Sequence, residues 1–164
     1  MPTTENLLRG FFQVGYATTD LDRAMAMFGD TFGIGEFAQM RDLPSQAPHG
    51  GEMVASFALA YVGDTMIELI QPMGGDDAML RDYLPDNGFA VRQHHLAYSL
   101  PSMVDLEATE QALRNKGIDI VIKGKGMDIV DFFYADTRPQ LGHYSEYIYL
   151  SEKGRDAYEQ LPHY

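Results

Sequence analysis

The feature that most restricts how this chain can fold is that its second half repeats its first. The segment FQVGYATTDLDRA from Phe12 is answered by HHLAYSLPSMVDL from His94. Each is followed by an amphipathic stretch and then a glycine landmark, FGIGEF in one half and KGIDIV in the other. Gln13 stands 82 residues before His95, Gly33 stands 84 before Gly117, and Glu68 in TMIELIQP stands 78 before Glu146 in YSEYIYL. Three landmarks in one order, with a slightly shorter second copy, indicate one supersecondary unit used twice.

The periods within each copy say what that unit is. Alternation from Phe12 to Thr18 predicts a strand. Asp20 then stands as N-cap to a helix whose apolar positions Leu21, Ala24, Met25, Phe28 and Phe32 have helical spacing, with Gly33 and Gly35 to end it. Strands are predicted over 36–41, 53–62 and 65–71, separated by a polar loop holding Pro44, Pro48 and Gly50 and by a Gly63-Asp64 turn. The second copy predicts a strand over 92–100, a helix from Ser102 to about Lys116, and strands near 118–122, 128–134 and 142–150. The expectation is an α+β fold: one domain over 1–164 containing two tandem βαβββ units, at about 10–72 and 92–150. Residues 73–91 form a linker with a short helix capped by Asp76 or Asp77, and 151–164 form a tail with a closing helix. Each unit makes a small mixed sheet with its helix on one face, leaving the other face open to a ligand.

Composition removes several function classes. Against 24 Asp and Glu the chain has 12 Lys and Arg, a net charge of -12 without a basic stripe, which repels nucleic-acid phosphates and anionic membrane surfaces alike. There is no cysteine, hence no disulfide, no thiolate nucleophile and no sulfur-held metal, so any metal must sit on oxygen and imidazole. The start MPTTENLLRGFF lacks the basic lead and long apolar middle of a signal peptide, and no apolar run reaches membrane-span length, so a cytoplasmic location is expected.

Two carboxylates stand out. Glu68 lies among Met66, Ile67, Leu69 and Ile70, and Glu146 among Tyr144, Tyr147, Ile148 and Tyr149, in corresponding strands without a nearby Lys or Arg. An ionised carboxylate in such surroundings must be paired, hydrogen-bonded or bound to a cation. The first strands add Gln13 and His95 at matching places. Residues two apart in a strand share a face, so Gly15 and Ala17 flank Gln13, and Ala97 and Ser99 flank His95, while the bulky residues point to the helix side. Small neighbours leave room for a cavity. Gln13, Glu68, His95 and Glu146 together form an oxygen-rich donor set for one divalent ion, with Zn, Ni, Co, Mn, Mg and Fe(II) undistinguished. Such an ion polarises a carbonyl while a glutamate removes the adjacent C–H proton, a role open to Glu146 or alternatively Glu68. His94 is expected to alternate away from His95 and bond a loop. Tyr144, on the face of Glu146, is expected to line the pocket or simply fill it, and Tyr134 and Asp136 to border the same cavity; purely structural roles are favoured for these and for His143, and His49 sits in the Pro-rich loop, read as a loop before a lid.

The segments FQVGYATTDLD, IELIQP, HHLAYSL and GHYSEYIYL, over about residues 10–150, resemble the vicinal oxygen chelate superfamily, which includes glyoxalase I, methylmalonyl-CoA epimerase, extradiol dioxygenases and bleomycin-resistance proteins. The resemblance implies one metal ligand from the first and last strand of each unit, hence Gln13, Glu68, His95 and Glu146, an order most similar to one branch of glyoxalase I. Where that branch has an Arg and an Asn for glutathione, this chain has Ala17 and Pro72. Where the dioxygenases have a His it has Gln13, and where the epimerases have His and Gln it has Gln13 and Glu68. The implied function is metal-dependent proton transfer next to a carbonyl of a small oxygenated molecule, by an isomerase, epimerase or lyase, in a homodimer. The alternatives are a non-catalytic binding protein of the same fold and, behind it, an Fe(II) dioxygenase.

Overall fold

The computed structural model describes residues 6–164; the expectations that fall on 1–5, the very start of the domain and of the leader reading, lie outside the described residues. The first unit consists of β1 (Phe11–Thr18), α1 (Leu21–Phe32), β2 (Ala38–Gln46), β3 (Glu52–Val62) and β4 (Thr65–Gly75). A short helix, α2 (Ala78–Arg81), follows. The second unit consists of β5 (Val91–Ser99), α3 (Met103–Asn115), β6 (Ile120–Gly126), β7 (Val130–Ala135), α4 (Arg138–Leu141) and β8 (Tyr144–Leu150), and the chain ends with α5 (Glu152–Glu159). All eight strands join one sheet in the order β2-β3-β4-β1-β5-β8-β7-β6. Within each unit the first and last strands are parallel, and the units meet where β1 runs antiparallel to β5. The α+β fold read from the repeat is therefore the fold observed.

The helix signals act locally as their chemistry dictates. The Asp20 side chain accepts from Arg23 N at the start of α1, and Gly33 closes it in the left-handed conformation. Ser102 caps α3 and Ser151 caps α5 in the same way. Asp77 sits at the N-cap of α2 but makes no capping bond, because its carboxylate is taken by the Arg81 guanidinium four residues on.

The large side chains divide by strand parity. Leu21, Ala24 and Phe28 of α1 pack on Ala58, Ala60 and Leu69, and Leu106 and Leu113 of α3 pack on Tyr98, Phe133 and Tyr147, so both helices cover one face of the sheet. The opposite face is concave. There the outer strands of the two units approach, with Gln46 of β2 lying against Gly124 of β6 and His49 Nε2 standing 3.9 Å from Asp119 Oδ2. The tail after α5 then crosses to the first unit: Tyr61 N donates to Pro162 O, Gly63 N to Tyr164 O and Tyr164 N to Tyr61 O, while His163 stacks on Tyr61 at 4.8 Å.

Three strands run further than their sequence predicts: β4 continues to Gly75, into the segment expected as linker, and the other two are edge strands. β2 continues through Pro44 to Gln46 because it is an edge strand bonded only to β3, where a missing N–H leaves no ladder bond unmade; a register shift between Met40 and Leu43, with Asp42 at φ 50, absorbs the irregularity. β6, the other edge strand, likewise extends to Gly126.

Candidate metal centre

Gln13, Glu68, His95 and Glu146 lie on β1, β4, β5 and β8, the four central strands, and all come from one chain. Register sets them in two adjacent rows, Glu68 and His95 in one and Gln13 and Glu146 in the other. Gly15 is paired with Glu68 on one side and His95 on the other, and Ala97 is paired with Glu146. The His95 ring lies flat over Gly15: a Cβ there would stand 1.9 Å from His95 Cε1, so only glycine leaves the ring its place. The small residues expected to leave room for a cavity here leave it for the His95 ring instead, and Gly15, Ala17, Ala97 and Ser99 do not line the cavity.

His95 is fully buried, with Nε2 3.2 Å from Glu68 Oε2 and 3.4 Å from Glu146 Oε2. One ligand atom from each of the three lies within 4.8 Å of the others. Although His95 Nε2 and Glu68 Oε2 are close, they have no hydrogen bond of acceptable geometry, and both are buried without a partner, as is Gln13 Oε1. The Gln13 amide is anchored by its other end, Nε2 donating to Met66 Sδ at 3.3 Å. Orphaned buried atoms are costly, about 1–3 kcal/mol each, and here they are all of the kind a cation satisfies. Oxygen and imidazole donors of this sort fit a divalent ion.

Electrostatics agree. Burial by itself pushes the His95 imidazole down, but the Glu146 and Glu68 carboxylates override it and lift the group to about 9. Burial also raises Glu146, and it holds the Tyr134 hydroxyl far above its ordinary value, with Glu146 and Glu68 adding to the effect. Tyr158 on α5 is raised for the same reasons. The centre is short of positive charge, and the proton on His95 stands in for it.

His94 departs from its expected direction. The register between β1 and β5 slips between Gly15/His95 and Tyr16/Gln93, leaving His94 as an extra residue. A bulge of this kind re-aims a side chain, and both imidazoles turn to the concave side. The hydrogen bond it makes goes to helix α2 and not to a loop: His94 Nε2 contacts the Met79 carbonyl at 3.1 Å, and its Nδ1 lies 3.1 Å from His95 Nδ1. The carbonyl only accepts, so His94 Nε2 carries a hydrogen. Burial, with His95 beside it, keeps His94 neutral by lowering its pKa well below 6.5, so its Nδ1 is a lone pair that accepts from His95 Nδ1–H. His95 is thereby left with Nε2 as the nitrogen aimed at the acids.

A cavity of about 330 Å³ opens from these residues across the concave face, and Gln13, Glu68, His94, Tyr134 and Glu146 line it. Tyr158 and Leu161 close it from the tail, which nothing in the strand pattern foretold; their i, i+3 spacing in the last segment is the only signal. Tyr144, expected on the face of Glu146, is packed beneath Arg138 at 4.4 Å and against His94 at 5.1 Å. Asp136 is paired with Arg138, the His143 ring contacts the Tyr144 carbonyl, and His49 reaches toward Asp119; none of these lines the cavity.

A tandem βαβββ sheet curled around a buried Gln and His and two half-buried Glu defines a class of proteins with a concave cleft whose donors could hold a cation. The family model described as the glyoxalase/bleomycin resistance protein/dioxygenase superfamily matches residues 12–134, and the chain belongs to that superfamily. Among solved structures it is similar to methylmalonyl-CoA epimerase from Mycobacterium tuberculosis, with 19% identity, a TM-score of 0.64, and coverage of 95% of this chain and 97% of that one. It is also similar to a hypothetical protein from Bacillus halodurans (19% identity, TM-score 0.64, coverage 87% and 94%). A third is a Streptomyces coelicolor methylmalonyl-CoA epimerase in complex with 2-nitronate-propionyl-CoA (18% identity, TM-score 0.61, coverage 88% and 99%). No protein of curated function matches the chain. No helix among the described residues is long and apolar enough to cross a membrane.

Proposed function

We propose that Gln13, Glu68, His95 and Glu146 hold one divalent metal ion and that the protein moves a proton next to a carbonyl of a small oxygenated molecule, as an isomerase or epimerase. The observation that carries this reading is the set of buried atoms Gln13 Oε1, Glu68 Oε2 and His95 Nε2, none of them hydrogen-bonded, around one space. Epimerases among the fold neighbours support it, since inverting a carbon requires a proton to leave and return. A bound divalent ion supplies Lewis-acid polarisation of the carbonyl, which acidifies the neighbouring C–H.

The protein's own groups do the rest. Glu146, its pKa raised by burial, is a stronger base than an exposed carboxylate and takes the proton at Oε. Glu68, its counterpart from the first unit, is the alternative and can return a proton from its own side. His95 is held by His94 and does not exchange protons with the substrate. All four donors come from one chain, so the proposed homodimer, working in the cytoplasm, needs no residue from a partner to complete the centre.

Metal analysis of gently purified protein, followed by solvent-deuterium exchange into ketones and thioesters, tests the proposal. It expects about one ion per chain, lost in Glu146→Gln, and exchange that depends on metal. The apolar cavity also suits a non-catalytic binding protein. That reading expects no stoichiometric metal and a Glu68→Gln variant with unchanged ligand affinity.

A further inference from the structure

The walls of the cavity restrict what can reach the two acids. Among the described residues no Lys or Arg lines it. The lysines nearest in sequence to its rim, Lys123 and Lys125 on β6, are engaged by Glu110 at 2.7 Å and Asp131 at 2.8 Å. Apart from the proposed ligands and the histidine behind them, the polar side chains it offers are Ser45, Gln46, Tyr134 and Tyr158, all uncharged.

Charge at the centre points the same way. With His95 and Gln13 neutral, two carboxylates cancel a divalent ion, and the loaded site has no net positive charge to offer an anion. Without the ion, the two carboxylates outnumber the single His95 imidazole between them, so the site still has no net positive charge to offer. A carboxylate or phosphate entering this space would be stripped of water with only uncharged donors and no cationic side chain to replace it.

The remaining surface is apolar and built for rings. Phe57 and Phe132 line the cavity from the third strand of each unit, and Met40, Met53 and Met127 contribute thioethers that adapt to varied shapes. Its volume of about 330 Å³ lies at the small end of the range for ligand pockets.

Resting on the metal-dependent proton transfer proposed above, we infer that the substrate is an uncharged, largely apolar ketone bearing an aromatic or alicyclic ring, rather than a carboxylate, a phosphate ester or a coenzyme A thioester.

Calorimetric titration of the full chain, metal-loaded and metal-stripped, with 2-acetylnaphthalene, 2-naphthoate and acetyl-CoA tests this. The ketone should bind at least tenfold more tightly than the naphthoate in both states, a difference of about 1.4 kcal/mol, and acetyl-CoA should not saturate the protein. Met127→Lys, at an exposed rim position that tolerates a charge, should raise naphthoate affinity severalfold. Naphthoate or acetyl-CoA binding as tightly as the ketone overturns the inference, and so does failure of the ketone to bind. Deuterium exchange separates the two readings. Exchange into acetyl-CoA but not the ketone removes the substrate class and leaves proton transfer standing. Preferential ketone binding without exchange leaves the class and removes the chemistry.

Discussion

Replacing Gly15 by Ala is the sharpest perturbation the structure offers, because it adds one methyl group to the floor of the centre. The new Cβ would stand 1.9 Å from His95 Cε1, 2.3 Å from Nε2 and 2.4 Å from Nδ1. Ordinary contact begins at 3.4 Å, so the ring must move by about 1.5 Å. It has nowhere to go cheaply: His94 holds its Nδ1 side, and Glu68 and Glu146 stand at Nε2. Overpacking of this kind costs about 1–3 kcal/mol, which for a chain of this length lowers Tm by roughly 2–12 °C. Metal–ligand distances tolerate only about 0.2 Å, so the displaced imidazole also leaves the donor set. Wild-type protein with metal at about 100 times Kd gains about 2.7 kcal/mol, or roughly 5–11 °C, and Gly15→Ala loses that gain. Differential scanning calorimetry with and without added zinc or manganese reads both effects. Gly35→Ala is the control, since nothing lies within 4 Å of its Cβ and its φ is unexceptional; it should melt like wild type. A Gly15→Ala protein melting within about 1 °C of wild type, with its metal response intact, refutes the placement of His95.

Two further outcomes follow from the residues around that ring. His94→Leu removes the acceptor that fixes the His95 tautomer and should weaken metal binding by about 10–100-fold, measured by competition with a chromogenic chelator, whereas His94→Gln, which still offers an oxygen, should retain most of the affinity; equal losses would show that packing alone is at work. In metal-free protein His95 has its folded pKa raised to about 9 from 6.5, so the stability it contributes is fully present below pH 6.5 and is lost as pH rises toward 9. Urea midpoints should fall over that interval in stripped protein and stay level in metal-loaded protein, and a flat profile for both would contradict the pairing of His95 with the two acids.

Strand faces and the four proposed donors were legible in the sequence because alternation is a local property. Gly15, Ala17 and Ala97 marked the roomy side of β1 and β5, and Val14, Tyr16, Leu96 and Tyr98 the packed side. What stayed hidden depends on partners distant in the chain. The bulge at His94 is a mismatch between two strands and is written in neither alone. Pro44 reads as a strand breaker until β2 is known to be an edge. Asp77 has the chemistry of a cap, but Arg81 competes for its carboxylate. Tyr158 reaches the cavity only because the tail doubles back along β3, a long-range choice that no periodicity records.

Gln13 and His95 occupy equivalent strands, yet one is steadied by the sulfur of Met66 and the other by a second imidazole. Were the two halves separate, identical polypeptides, each such pair would be forced to match, and the cleft would have a true twofold axis. Joining them end to end lets either half be edited alone. The result is an enclosure of similar walls without a twofold axis, so a bound molecule and its copy turned by half a rotation meet different surroundings.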